Sequence, residues 1–513
     1  MTQPREGAEG RLSCADPRLP GARNRVDVLF AVLTAGLVLC VGSFIAAGFH
    51  APLSYDGAYN MQVPLHLAHE GRYATDGAVY DGRVKHFDAY ITTGPTVLIP
   101  VAAAVAVLGD HLWAMRVAPT AFFLLLLCTA AGVGRRSAGR WGAFVAVAAV
   151  LAVDLGATQP GSPVFGSGDV VGEMACALLL LWAATNLQRT RLAGLAFGLA
   201  VLTKMLAGIM LPAFVGALVM ISIGMRTRHR LGSLLTFAAW ACAPAVAWNL
   251  VRLTSLGWNE YQLRCVEFVQ VFLSKGSGLT SGTDRSPEQR LASLLDLFQL
   301  PAVLIGLPVI AAALVLTCIS NPPGRPAQDP PHANSGRATA VAAIGGTALL
   351  GAWWLLVSDV AFVRHLLIGV FVALPVACSQ ALRIVTLTRS QGSIIRRLLA
   401  PALVTALCAS AAVTAVRVWS PNATPLQDQR SAAAVVANAD VEQIRTVGWW
   451  QVPEIAYLAR TPARPLTEEG GLLVSELGLG LVDIRAAELV SAACGREIYR
   501  QGGYLICDAA QSP

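Results

Sequence analysis

The chain has 513 residues, of which 55% are hydrophobic and 13% are charged, and its formal net charge at pH 7 is +7. Ordinary globular chains have about 45–50% apolar and about 25% charged residues, so a soluble fold would leave too much apolar surface in water. The arginines cluster in short segments between apolar runs and not along one face, which argues against a nucleic-acid-binding protein. The composition therefore indicates a polytopic membrane protein.

The first apolar run, Val26–Phe49, is long enough to cross about 30 Å of hydrocarbon. The arginines before it predict a cytoplasmic N-terminal tail over residues 1–26. The run is longer than the core of a cleavable signal peptide and is not followed by a small-residue cleavage site, so it reads as an anchor. We therefore expect a membrane domain over residues 27–416, and we expect the chain after Phe49 to lie outside.

Five further breaks between apolar segments are rich in arginine, and all five are assigned to the cytoplasm. The remaining spans are then 112–133, 141–156, 171–187, 192–203, 205–225, 231–253, 293–319, 338–357, 363–382 and 398–416. With the first they make about eleven, which places the C-terminal segment outside. The short segment 95–109 contains two prolines and is interpreted as an interfacial or re-entrant helix, although a full span remains open.

Two long outer loops follow from this topology, at residues 50–111 and 254–291. Most acidic residues beyond the first span fall in outer loops or at their membrane edge, whereas the cytoplasmic loops after that span carry almost none. This distribution predicts that any chemistry takes place on the outer face.

The segment 417–513 changes character, because its apolar runs are too short to span a membrane. The stretch "REIYRQGGYLICD" predicts two strands around a Gly-Gly turn, while "QRSAAAVVANA" and "DIRAAELVSAAC" have helical spacing. We therefore expect a small extracytoplasmic α/β domain resting on the outer face. Cys494 and Cys507 flank the hairpin in a compartment that permits disulfides, so a disulfide and a pair of free thiols are both open.

Familiar cofactor motifs are missing from the sequence. It contains no G-x-x-x-x-G-K-[ST] and no G-x-G-x-x-G that opens a helix after a strand, which disfavours a nucleotide-driven pump and a doubly wound nucleotide-sugar enzyme. His66 and His69 are three residues apart on a predicted helix, but no third ligand accompanies them. We therefore predict no cofactor and no metal site, with a divalent metal left open.

Six stretches follow one another in a characteristic order. They are "YDGAYNMQVPLHLAHEGRY", "ITTGPTVLIPVAAAVAVLGDHLWAMRV", "SGDVVGE", "GLAFGLAVLTKMLAGIMLP", "FVRHLLIGV" and "TVGWWQVPEIAYLA". This order resembles the GT-C glycosyltransferases, in the branch of the protein O-mannosyltransferases, the lipid A aminoarabinose transferases and the RgtA/B/C/D-like bacterial enzymes. The resemblance covers most of the chain and is strongest from Ser54 to Pro212. Thr93-Gly94-Pro95 departs from the Lys-Pro-Pro of the first two groups.

The resemblance implies a polyprenyl-phosphate sugar donor, a product formed outside with inversion, and an acid in the first outer loop that takes the acceptor proton. By resemblance that acid is Asp56, and the alternative role for Asp56 is a helix N-cap. Asp169 and Glu173 are four residues apart, so they share a helix face towards the same outer vestibule, where one of them orients the acceptor or the base. The alternative for this pair is complementarity to the helix dipole.

Cations at the outer membrane edge are expected to meet the phosphate of the donor, since a charge at that depth needs an anionic partner or water. The residues of this kind are Lys204, Arg364, His365, Lys85 and Arg264. The alternative is ordinary snorkelling of long basic side chains towards water.

The sequence thus predicts an all-α polytopic membrane protein of GT-C fold that transfers a sugar to a lipid, glycan or protein hydroxyl in the plasma or inner membrane. A transporter or flippase of lipid-linked sugars is the alternative, and a non-catalytic sensor or assembly factor is third. A transporter would not explain the long acid-bearing outer loop together with an outer domain. The sequence also shows no internal repeat of the kind that many transporters have.

Overall fold

The structure, a computed structural model, describes residues 20–75, 87, 93–153, 168–223, 226–275, 286–295, 331–358, 363–387, 394–419, 424–446, 452–466, 471–477 and 484–509. These residues are mostly helical, with one small sheet near the C-terminus. The predicted fold class, a helical membrane domain followed by a small α/β domain, is confirmed.

The described part of the membrane domain consists of helices that differ widely in length. They are α1 Pro20–His50, α2 Tyr55–Glu70, α3 Pro95–Leu108, α4 Leu112–Leu151, α5 Gly168–Thr185, α6 Thr190–Thr203, α7 Leu211–Ile221, α8 Thr227–Leu256, α9 Trp258–Lys275, α10 Pro287–Leu295, α11 Pro331–Ala340, α12 Gly346–Leu356, α13 Arg364–Leu387 and α14 Ile394–Trp419. A 3₁₀ turn, Met205–Met210, precedes α7, and a π-helical turn, Val341–Gly345, joins α11 to α12.

Six of the described helical stretches are long and apolar enough to cross a membrane, which supports an integral membrane protein. They are Arg25–His50, Leu112–Leu151, Thr227–Leu256, Ser335–Leu356, Arg364–Thr386 and Leu398–Val418. Shorter apolar helices are Pro95–Leu108, Val171–Thr185, Thr190–Thr203 and Met205–Ile221. The total of eleven spans stays a prediction, and the span at 293–319 lies outside the described residues beyond its first three.

Helix α4 folds back on itself at Ala138 and Gly139, both of which have non-helical backbone angles. Gly139 has φ 64°, a region that favours glycine. A Cβ added at Gly134 would lie 2.0 Å from the carbonyl oxygen of Gly142. In a straight helix those residues would be about 12 Å apart, so the two arms of α4 form a hairpin. The arms correspond to the predicted spans 112–133 and 141–156.

The chain also breaks at Lys204, where the sequence predicts a turn between two short helices. Helix α6 ends at Thr203, and Lys204 is extended, with φ −144° and ψ 115°. The 3₁₀ turn and α7 follow, with Pro212 in the first turn of α7, where a missing backbone N–H costs nothing. The break leaves the Lys204 side chain at the end of a helix, beside α5.

The C-terminal domain contains a five-stranded sheet with the order β2-β1-β3-β5-β4. Its elements are α15 Thr424–Asn438, β1 Ile444–Thr446, α16 Pro453–Ala459, β2 Ala463–Pro465, β3 Leu472–Glu476, α17 Ile484–Ala493, β4 Cys494–Gln501 and β5 Tyr504–Ala509. The strands β4 and β5 are antiparallel and turn at Gly502 and Gly503, both with positive φ, as predicted for this hairpin. A disulfide joins Cys494 to Cys507, whose Cα atoms are 5.4 Å apart.

Helix α5 lies at the centre of the membrane domain and packs against α4, α6 and α13. Its side chains from Val171 to Ala177 are almost fully buried, including Glu173. The sequence explains this, because the residues of α5 from Val170 to Ala184 are apolar apart from Glu173. A carboxylate is thereby held near the N-terminal end of a buried helix.

Candidate functional site

Asp56 lies in the first turn of α2, and the helix begins one residue after Ser54. The Ser54 side chain accepts a hydrogen bond from the backbone N–H of Gly57 at 3.0 Å, so Ser54 is the N-cap. The alternative interpretation of Asp56 as the N-cap is therefore wrong. A carboxylate in the first turn still complements the helix dipole, but the cap itself does not require Asp56.

The carboxylate of Asp56 is bound by the first residue of α13. Arg364 Nη1 donates to Asp56 Oδ2 at 2.7 Å, and the two residues are 308 positions apart in the sequence. The Asp56 side chain is 32% exposed and that of Arg364 is 19% exposed. The bond fixes the direction of the carboxylate, while the exposure leaves it within reach of a ligand.

A second ion pair lies deeper and joins α5 to the end of α6. Lys204 Nζ is 3.5 Å from Glu173 Oε1, and the side chains are 9% and 1% exposed. Gly172 makes room for this contact, because a Cβ there would lie 2.4 Å from Lys204 Cε. A buried carboxylate and a buried ammonium require each other, since either charge alone would be costly at this depth.

The two ion pairs form one charged cluster, which also includes His365. The charges of Arg364, Lys204 and Asp56 all act on the imidazole, and those of Lys204 and Arg364 both act on Glu173. We call this set the outer charge cluster, after the face of the membrane on which the sequence predicts it to lie. Its members are Asp56, Glu173, Lys204, Arg364 and His365. The structure thus brings together residues that the sequence assigned separately to acid–base chemistry and to phosphate binding.

The stretch Thr93-Gly94-Pro95 packs against the backbone just before Lys204. Gly94 N–H donates to the Thr203 carbonyl at 3.0 Å, and a Cβ at Gly94 would lie 1.8 Å from the carbonyl oxygen of Leu202. Only glycine permits this approach. The loop that carries Lys-Pro-Pro in related enzymes is therefore used here to fix the end of α6.

The remaining predicted residues are not shown to join the cluster. Arg264 lies on α9, and its ion pair with Glu260, at 2.7 Å, is local to that helix. Asp169 lies in the first turn of α5, where only the backbone is described. Lys85 lies outside the described residues.

No group of three or more His, Cys, Asp or Glu side chains within the described ranges is arranged to hold a metal ion. The two histidines singled out from the sequence have different neighbours: His66 Nδ1 is 3.0 Å from Glu70, and His69 Nε2 is 3.4 Å from Asp110. They lie on the same helix but do not converge on one point.

Comparison with known proteins identifies the fold of the chain. The family model of the dolichyl-phosphate-mannose-protein mannosyltransferases matches residues 94–248. The structure of ArnT from Cupriavidus metallidurans bound to undecaprenyl phosphate superimposes with a TM-score of 0.59 and 14% identity, over 93% of this chain and 98% of that chain. The chain has the GT-C fold.

A second GT-C structure is also similar. It is the oligosaccharyltransferase AglB from Archaeoglobus fulgidus, in complex with an inhibitory peptide and a dolichol-phosphate, with a TM-score of 0.51 and 11% identity over 94% of this chain and 74% of that chain. No curated protein sequence matches the chain significantly. The resemblance to GT-C enzymes that the sequence shows is confirmed by the family model and by these folds.

Two residues that support the GT-C site were not identified from the sequence. Gln429, in α15, accepts from the Leu53 N–H at 2.9 Å and donates to the Leu53 carbonyl at 2.8 Å. Arg116, in α4, is 3% exposed and donates to the Ala51 carbonyl. Both contacts hold the backbone just before Ser54. Arg116 could have been identified, because an arginine inside an apolar run indicates a functional or structural role. The sequence carries no signal that Gln429 contacts Leu53.

The C-terminal domain of this GT-C chain docks beside the same loop. Arg460 forms an ion pair with Asp110 at 2.7 Å and also donates to the Asp110 carbonyl. The Tyr457 hydroxyl contacts the Met115 sulfur, and burial raises the pKa of Tyr457 above its ordinary value. The C-terminal domain is therefore attached through specific contacts to the segment between α3 and α4 and to the first turn of α4.

Proposed function

We propose that the protein is a membrane glycosyltransferase that moves a hexose or pentose from a polyprenyl-phosphate donor to a lipid, glycan or protein hydroxyl on the extracytoplasmic face, with inversion. The observation that carries the proposal is the outer charge cluster, in which a reachable carboxylate and two cations lie together. The coarser statement, a GT-C glycosyltransferase that uses a lipid-linked sugar, is supported by the family model and by similar folds that bind undecaprenyl phosphate and dolichol-phosphate.

Asp56 is the general base in this proposal. An acceptor hydroxyl is barely acidic before the reaction and becomes acidic as its oxygen bonds to the anomeric carbon, so the base need only accept the proton late. The ion pair with Arg364 directs the Asp56 carboxylate, and the exposure of Asp56 admits the acceptor. A single base opposite the leaving group, with no covalent nucleophile, produces inversion.

Lys204 and Arg364 stabilise the leaving phosphate as cations, and the His365 imidazole beside them is proposed to donate a hydrogen bond to it. As the bond from the sugar to the phosphate breaks, the polyprenyl phosphate gains negative charge, and preorganised cations in a poorly solvated site favour that change. Glu173 is an acidic partner of Lys204 while no donor is bound, because a buried ammonium needs a nearby carboxylate. Asp169, one turn before Glu173, is proposed to orient the acceptor.

An apolar groove provides a place for the lipid part of the donor. It has a volume of about 940 Å³ and lies among α6, α7, α8 and α9, with Phe197, Leu211, Phe237 and Trp258 among its lining residues. Gly208, which also lines it, is four residues from Lys204. A polyprenyl chain in this groove would bring its phosphate towards the end of α6.

A detergent-solubilised assay separates this function from transport. The purified chain is incubated with a labelled polyprenyl-phosphate sugar and a mixture of lipid, glycan and peptide acceptors, and covalent products are separated. Detergent micelles have no second compartment, so a transporter yields no product, whereas the proposed enzyme yields labelled acceptor. Labelled acceptor that forms equally well with the Asp56→Asn variant would contradict the assigned mechanism, and no labelled acceptor with any donor would contradict the function.

A further inference from the structure

A cavity lies at the other end of α5 from the outer charge cluster, between α4 and α5. Its volume is about 670 Å³, within the range of roughly 300–1,000 Å³ that is typical of ligand pockets. The apolar part of its lining includes Leu125, Cys128, Val133, Leu178, Leu179 and Trp182, and its polar part includes Thr129, Arg136, Thr185, Asn186 and Arg189. Thr185 is about 18 Å from Glu173 along the helix, so the cavity is separate from the proposed active site.

Two arginines at this cavity have no carboxylate partner among the described residues. Arg136 and Arg189 are both exposed, and neither forms an ion pair with an acid in the part of the chain that the structure describes. Arg136 Nη1 makes one long hydrogen bond, 3.4 Å, to the Thr185 carbonyl at the end of α5. By contrast, Arg140 in the same turn pairs with Asp27 at 2.5 Å. The two arginines at the cavity therefore present positive charge that the described side chains do not neutralise.

The apolar wall below these arginines has an open notch. Gly132 lines the cavity, and a Cβ added there would meet no atom within 4 Å. The lining thus combines a cationic end with an apolar stretch that runs along two membrane helices. An inorganic anion would use only the cationic end, whereas a phospholipid would use both.

We propose that this cavity binds an anionic phospholipid, with its phosphate between Arg136 and Arg189 and an acyl chain against the apolar wall. The sequence predicts that both arginines face the cytoplasm, and the cytoplasmic leaflet is the one that carries anionic lipids. The bound lipid would connect the turn within α4 to the turn between α5 and α6. The proposal does not depend on the glycosyltransferase activity.

Native mass spectrometry of the purified full chain tests the charge requirement. The protein is mixed with equal amounts of phosphatidylglycerol and phosphatidylcholine that carry the same acyl chains. We expect the parent to retain phosphatidylglycerol preferentially, and we expect the double variant Arg136→Gln/Arg189→Gln to bind it about 25-fold more weakly, at about fivefold for each basic residue. The control Arg140→Gln removes a nearby arginine that already has a partner, so it should keep the preference.

A second variant tests the apolar wall with both arginines in place. Gly132→Leu fills the notch and should reduce lipid binding, whereas Gly36→Leu, at an open position on α1, should not. This pair keeps the test decisive if the double arginine variant fails to fold. Equal binding of the two lipids by the parent, an unchanged preference in the double variant, or displacement of the lipid by inorganic phosphate would each overturn the proposal.

Discussion

The two ion pairs of the outer charge cluster use the same chemistry in different surroundings. Asp56 and Arg364 are close, at 2.7 Å, and partly exposed, whereas Glu173 and Lys204 are farther apart, at 3.5 Å, and almost fully buried. Water screens an exposed pair, which typically contributes about 0–1 kcal/mol to stability. Breaking a buried pair costs about 3–5 kcal/mol, because one charge is left uncompensated. The exposed pair is thus suited to exchanging partners with substrates, and the buried pair to holding helices in place.

The largest effect is expected for Asp56→Asn. This change keeps the size of the side chain and removes the base, so turnover should fall by at least about 10², within the range of about 10² to 10⁴ for a general base. Donor binding should be retained, as measured by titration with labelled donor. Glu70→Gln, at the other end of α2, is the control. If the turnover of Asp56→Asn stays within a few-fold of that of the parent, Asp56 is not the base. The exposed pair would then have no catalytic role that distinguishes it from the buried pair.

The next effect is expected for Glu173→Gln, and it concerns stability. The variant removes the Glu173 carboxylate that lies 3.5 Å from the buried Lys204 ammonium, so the free energy of unfolding should fall by about 3–5 kcal/mol. Thermal unfolding in detergent measures the change. The double variant Glu173→Gln/Lys204→Met removes both charges and should recover part of the loss. A melting temperature of Glu173→Gln equal to that of the parent would show that the buried pair does not hold the helices.

The affinity for the donor tests whether the cation of each ion pair contacts the donor phosphate. Lys204→Ala and Arg364→Ala should each weaken donor binding by about 1.5–3 kcal/mol, which is typical of a charge-assisted hydrogen bond. Isothermal titration with a non-reacting polyprenyl phosphate measures this. Arg500→Ala removes an exposed arginine of β4 that pairs with Glu497 and should have no effect. If both cluster variants bind donor as the parent does, their cations do not contact the phosphate.

The smallest effect is expected for Gln429, which touches neither pair. Gln429→Ala removes two hydrogen bonds to Leu53, each of which contributes about 1 kcal/mol to the stability of this segment. Only part of that loss should reach the chemical step, so kcat should fall several-fold with little change in the KM for donor. Gln429→Glu places a carboxylate oxygen against the Leu53 carbonyl and should be at least as damaging. A change in donor KM with an unchanged kcat would show that Gln429 acts on the donor side and not on the Asp56 loop.

Local features of the structure could be predicted from the sequence. The break at Lys204, the Gly-Gly hairpin and the arginine-rich turn within α4 each follow from residues that lie next to one another in the chain. Short-range backbone preferences determine such features. The members of the outer charge cluster could be predicted in the same way, because each is a charge at the edge of an apolar run.

The pairing of those charges could not be predicted. Arg364 was assigned to the phosphate and Asp56 to the acceptor, and nothing in the sequence indicated that one binds the other across 308 positions. The alternative role considered for Asp56 was the N-cap, although Ser54 was available two residues earlier and forms the bond. Contacts of this kind depend on how the helices pack, which periodicity and composition do not determine.

The contact between Gln429 and Leu53 has a consequence for how the protein is made. The two residues are 376 positions apart, and Leu53 emerges from the ribosome long before Gln429 does. The backbone of Leu53 therefore gains these two hydrogen bonds only after α15 has been synthesised. A chain interrupted between α13 and α15 would contain every member of the outer charge cluster, but it would lack Gln429. The segment before Asp56 thus gains its full support only after most of the chain has been made.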